Sequence, residues 1–138
     1  FDIEGNPIWL KTGGSPGYDD RANGVTVDVR GNAFITGFTY QGYQIDAFQP
    51  VLDFQNSKYL FLAKISPAGQ YNATTFLGAT PSYPDFQAEG IKIKTQSAIG
   101  EQNKIVIIGK YKGYYFDSKL SAVLPYRDTD TTFTVVFD

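Results

Sequence analysis

The chain has 138 residues, 42% of them hydrophobic, 16% aromatic and 19% charged, with a net charge of −2. That is enough apolar material for an ordered core, and its scattered Lys and Arg provide no basic footprint for nucleic acid or an anionic membrane. Zero Cys and zero His exclude disulfides, thiolate metal sites and a cysteine nucleophile, and remove the commonest general base. No apolar run approaches the roughly 18 to 20 residues of a membrane-spanning helix. With no Met and no basic-then-apolar leader, the sequence reads as a processed product or an excerpt.

The predicted elements are all strands. Pro7 to Thr12 follows the turn residues Glu4-Gly5-Asn6 and reads as a first strand. Val25 to Val29 alternates Val with Thr and Asp, and Gly31-Asn32 turns it into the apolar run Ala33 to Thr39, a hairpin that requires positive φ at Gly31. A long connection from Tyr40 to Ser57 leads to Tyr59–Ile65, and Ser66-Pro67-Ala68-Gly69 turns that strand into Tyr71 to Leu77. Further strands are expected at Ile91 to Lys94, Lys104 to Ile108 and Thr131 to Phe137. Gly recurs often, β-branched and aromatic residues dominate the runs, and no apolar spacing of three and four persists, so helices are not expected. Runs such as Leu60-Phe-Leu-Ala63 and Ile105-Val-Ile-Ile108 are apolar at every position, which implies sheets covered on both faces.

The chain repeats itself. Asp19-x-x-Ala22-x-Gly24-Val25-x-Val27 returns as Asp85-x-x-Ala88-x-Gly90-Ile91-x-Ile93, and Tyr40-x-Gly42-Tyr43 returns as Tyr111-x-Gly113-Tyr114. Residues 1–138 are read as one segment holding two units, 1–64 and 65–136. Four strands per unit, stacked as sheets, describe two blades of a β-propeller. Two blades cannot close a ring, so further repeats of a parent chain or identical chains are expected to complete it. The first strand is a fourth strand without its three predecessors, and Thr131 to Phe137 is a third without its fourth. These two are expected to pair across copies or with a missing part of the parent.

Trp9-x-Lys11-x-Gly13-Gly14, then Asp19 through Asp28-x-x-Gly31-Asn32-x-x-Ile35-Thr36-Gly37-x-Thr39, then Leu62-Ala63-Lys64-Ile65-x-Pro67-x-Gly69 together resemble the SBBP repeat of bacterial β-propellers. The resemblance covers nearly the whole first unit. The second departs from it, with Lys94 in place of Asp28 and Thr95 to Gln102 in place of the tight Gly-Asn turn. The resemblance implies a secreted or surface-exposed bacterial protein, commonly without catalysis.

Three groups of residues bear on chemistry. Asp19, Asp20 and Asp85 sit in loops entering the blades and offer oxygen ligands for Ca²⁺, although an Asp that closes a turn on its own backbone explains their recurrence better. Asp128-Thr129-Asp130, ahead of a strand, lacks the Gly and distal Glu of a calcium loop. Tyr40, Tyr43, Tyr111, Tyr114 and Tyr115 are placed near turns, where amphipathic rings can stack on sugars or anchor a protein, or can simply close the blade ends. Trp9 is assigned to the core. The reading is a noncatalytic scaffold that presents loops to a protein or glycan; the alternative is a part of a carbohydrate-active hydrolase or lyase working through paired carboxylates.

Overall fold

The computed structural model describes residues 2–14, 17–40, 44–45, 58–77, 87–96, 104–116 and 122–137. Its elements are strands: β1 (Gly13–Gly14), β2 (Arg21–Val27), β3 (Ala33–Thr39), β4 (Gln44–Ile45), β5 (Tyr59–Ile65), β6 (Tyr71–Leu77), β7 (Gln87–Gln96), β8 (Lys104–Phe116) and β9 (Ala122–Phe137). They form an antiparallel sheet in the order β2-β3-β5-β6, a second in the order β7-β8-β9, and a small β1-β4 pair. The protein is all-β, as its composition implies.

The sheets stack because their strands carry apolar residues at alternate positions on the facing sides. From the first sheet Phe34, Leu60 and Leu62 meet Ile93, Ile105, Ile107, Tyr111 and Phe133 of the second in one buried cluster. On the far side of the first sheet Phe61 and Ala63 are buried with Ile35 and Tyr71 packed against them. The inner strands approach closely. A Cβ on Gly24 would lie 3.2 Å from the Ile93 nitrogen, and Thr95 bridges the sheets by donating its hydroxyl to the Val27 carbonyl at 3.0 Å.

Both sheets use one register. A shift of 72 turns the β3–β5 pair Ala33↔Ile65 into the β8–β9 pair Ile105↔Phe137, and turns Thr39↔Tyr59 into Tyr111↔Thr131. The repeat is therefore visible in the pairing as well as in the residues. Its alignment differs at β7, however. Val25 pairs with Ile35 and Ile93 with Ile107, so Ile93 rather than Ile91 is the repeat counterpart of Val25. A bulge between Ala22 and Gly24 recurs between Gly90 and Lys92.

Three turns share one construction. In each, Gly donates its N–H to the carbonyl three residues back, and the first residue's N–H reaches the carbonyl four residues on: Asp2 to Asn6, Asp28 to Asn32, and Ser66 to Gln70. Gly5, Gly31 and Gly69 have φ of 87°, 81° and 75°, a type I turn closed by a left-handed Gly. The Asp28 carboxylate accepts from the backbone N–H of Arg30 and Asn32 and from the Asn32 amide. Asp2 does the same with Glu4 and Asn6.

Several expectations need correction. Pro7 to Thr12 follows a hairpin turn but forms no strand. Strands β7, β8 and β9 are longer than expected, and Asp128-Thr129-Asp130 lies inside β9 rather than ahead of it. The second sheet is not covered on both faces: Ile108 is 45% exposed and Val136 53%. Trp9 is not core; it lies at the surface against the Ser66–Gln70 turn, its indole N–H donating to the Pro67 carbonyl at 3.0 Å. The connection from Tyr40 to Ser57 lies largely outside the described residues.

Candidate functional site

The described side chains converge at the end of the first sheet where β2 begins and β3 finishes. Asp20, just ahead of β2, accepts through one carboxylate oxygen from the Thr39 hydroxyl at 2.7 Å and from the Tyr40 N–H at 3.0 Å. This clamp orders the chain as it leaves β3. It leaves Tyr40 beside Tyr18, with ring centroids 6.3 Å apart and planes 23° from parallel, and edge-on to Phe38 at 6.0 Å. Tyr18 remains 46% exposed, so the stack is reachable from solvent.

Cations gather on Phe38. The Lys58 ammonium sits 3.9 Å from its ring centroid and the Arg21 guanidinium 5.9 Å. Each contact is electrostatic attraction to the ring face. Around the same edge, Lys11, Thr12, Gly13, Asp20, Arg21 and Ala22, floored by Ile35, Phe61 and Ile65, enclose a cleft of about 160 Å³. A charged rim over an apolar floor, next to stacked tyrosines, suits a small polar ligand bearing an apolar face.

The candidate residues separate. Asp20 and Tyr40 belong to this edge, where Asp20 serves as a backbone clamp; Asp19 is exposed ahead of it. Among the described residues no group of three carboxylates converges in a metal-binding arrangement. Tyr111 is not at a turn. It takes the place of Thr39 in the second sheet, is 3% exposed and packs edge-on against Phe133 at 6.0 Å, a core ring rather than a surface one. Tyr114 and Tyr115 stand in the last three residues of β8, which ends at Phe116. Tyr43 and Asp85 lie outside the described residues.

Sequence reasoning did not single out Arg21, Lys58 and Lys11 as site residues. The signal available was thin: two cations beside aromatic residues that only the β2–β3–β5 pairing brings to a single ring. Asp28, by contrast, titrates as a turn residue. Partial burial works to raise its carboxyl, but hydrogen bonds from Asn32 and Arg30, aided by the Lys64 charge, outweigh this and hold it below the ordinary 3.8. In Asp2 the Asn6 side chain leads the same lowering.

Compared with protein-family models, with curated proteins and with solved structures, the chain matches none of them.

Proposed function

We propose that the chain is a noncatalytic, secreted or cell-surface scaffold of SBBP-type β-propeller blades that presents loops for binding, with a glycan as the favoured ligand over a protein. The stacked Tyr18–Tyr40 pair carries the reading, since flat amphipathic rings stabilise the apolar face of a sugar while leaving its hydroxyls to neighbouring polar groups. Lys11, Asp20 and Arg21 around the adjoining cleft provide those polar groups. The SBBP-like order of motifs in the first unit and the shared strand register of the two sheets support consecutive blades.

The test is an oligosaccharide array probed with the intact chain and with a Tyr18→Ala, Tyr40→Ala double variant. Retention by the parent and loss by the variant, with little change in melting temperature, is the expected result. Equal retention by both would remove the stack from the site, and turnover of any array sugar would overturn the noncatalytic reading.

A further inference from the structure

We propose that the tyrosine stack takes an acidic sugar, a uronate whose ring lies on Tyr18 and Tyr40 and whose carboxylate is held by Arg21. The inference rests on the reading of the stack as a sugar site and names the class of sugar that site selects.

The strand pairing places the cation. Arg21 stands directly across from Phe38 in the β2–β3 register, so the two side chains share one face of the first sheet. The Arg21 guanidinium lies 5.9 Å from the Phe38 ring centre, and Lys58, the residue before β5, sets its ammonium 3.9 Å from the same centre. Phe38 is buried and edge-on to Tyr40, so both cations border the stack across one ring. Arg21 is exposed, and among the described residues its guanidinium makes no ion pair and donates no hydrogen bond. Lys110 in the second sheet shows the ordinary alternative, an ion pair with Asp130 at 3.4 Å. The aromatic ring therefore orients Arg21 while its planar fork of five N–H donors is left to solvent.

The neighbouring acids do not neutralise this cation. Asp20 directly precedes Arg21, but one of its carboxylate oxygens accepts from the Thr39 hydroxyl and the Tyr40 N–H, and a Cβ on Gly14 would meet the other at 3.1 Å. Thr39 alternates with Phe38 along β3, so the Asp20 carboxylate is held at the face opposite the Arg21 side chain. Asp19 is exposed and makes no ion pair with Arg21. A chain with a net charge of −2 thus sets two cations at the edge of its reachable aromatic stack.

Stacking alone selects weakly, because any sugar with an apolar face satisfies it. A carboxylate changes that. It is planar and matches the guanidinium fork with two parallel bonds, each charge-assisted and about twice as strong as a neutral one. It also offsets the mutual repulsion of Arg21 and Lys58, which a neutral sugar leaves in place. Uronic acids combine the two requirements, an apolar ring face for the tyrosines and a carboxylate at the ring's rim for the arginine.

The test titrates the intact chain with a panel of uronate trisaccharides and with the same sugars after carboxyl reduction, at low and at high salt. The acid should bind about tenfold more tightly than its reduced counterpart, and the advantage should shrink in high salt because the cations lie at the surface. Arg21→Gln should remove most of that advantage, and Arg21→Lys should restore only part of it, since an ammonium keeps the charge and loses the fork. Tyr18→Ala with Tyr40→Ala should abolish binding of both forms. Equal affinity for acid and reduced sugar, each lost in the tyrosine variant, overturns the acidic assignment and leaves the stack as a sugar site. Acid binding that survives the loss of both tyrosines overturns the proposal and the stack together, as does a parent chain that binds neither sugar. A sulfated dextran that competes as well as the uronate, with Arg21→Lys equal to the parent, reduces the site to charge attraction and overturns the carboxylate assignment.

Discussion

Replacing Gly37 with Ala should destabilise the protein although its backbone conformation accepts any residue. Gly37 is not among the positive-φ glycines, so Ala there would ordinarily stiffen the unfolded chain and stabilise the fold by about 0.4 to 1 kcal/mol. The bulge between Ala22 and Gly24 reverses the sign. It pushes the Arg21 carbonyl against Gly37, where a Cβ would overlap that oxygen and lie 2.8 Å from the carbonyl carbon and 2.9 Å from the Ala22 Cα. All of these are backbone atoms held by the β2–β3 ladder, so relief requires moving a strand. Overpacking of this kind costs about 3 kcal/mol, which for a chain of this size lowers the melting temperature by ~10 °C. Urea unfolding followed by circular dichroism would measure it, with an unchanged slope showing that the transition remains the same. Wild-type stability or better in Gly37→Ala would refute the bulge-and-clash argument.

Gly31→Val should cost more than a surface change such as Thr26→Ser, because φ of 81° excludes a β-branched residue and the new Cβ meets the Pro67 ring at 3.1 Å; equal melting temperatures would contradict the turn assignment. Asp28 has a lowered folded-state pKa, so its contribution to stability is present above 3.8 and is lost as the pH falls through the lower folded value. Stability–pH curves of Asp28→Asn and the parent should therefore converge in that acid window and separate above it, and parallel curves would deny the charge a role. Trp9→Phe, which keeps a ring over Gly69 but removes the bond to the Pro67 carbonyl, should cost about 1 kcal/mol, and Trp9→Ala measurably more; identical losses in the two would place the whole effect on packing.

The strands and turns of the first sheet were legible because their signals are local. Ala33–Thr39, Tyr59–Ile65 and Tyr71–Leu77 are rich in apolar, β-branched and aromatic residues and begin or end at the turns of Gly31 and Gly69, and the structure places strands at those bounds. The repeat was legible too, but its alignment slipped where strand periodicity hides a slip. Matching Val25 to Ile91 instead of Ile93 moves two residues and keeps the same face, so nothing in the pattern objects. Matching Tyr40 to Tyr111 moves one, and the consequence is large: Tyr111 pairs with Thr131 inside the sheet and its ring enters the core. The gathering of Arg21 and Lys58 on Phe38 was not legible, since it depends on three strands meeting at one edge.

The shared turn also orders events in time. Each instance closes a five-residue span through its own hydrogen bonds, so it can form while the rest of the chain is still unfolded, and a hairpin zipped from it completes in microseconds. The β2–β3 and β5–β6 hairpins, each nucleated by such a turn, are the early pieces. Joining them through β3 and β5 requires contacts distant in sequence whose loop entropy is spent before any packing is gained. Folding is therefore gated by meeting rather than by bending. Gly31 and Gly69 variants should slow refolding as well as hasten unfolding, whereas Gly24, which acts only where the two finished sheets touch, should alter unfolding alone.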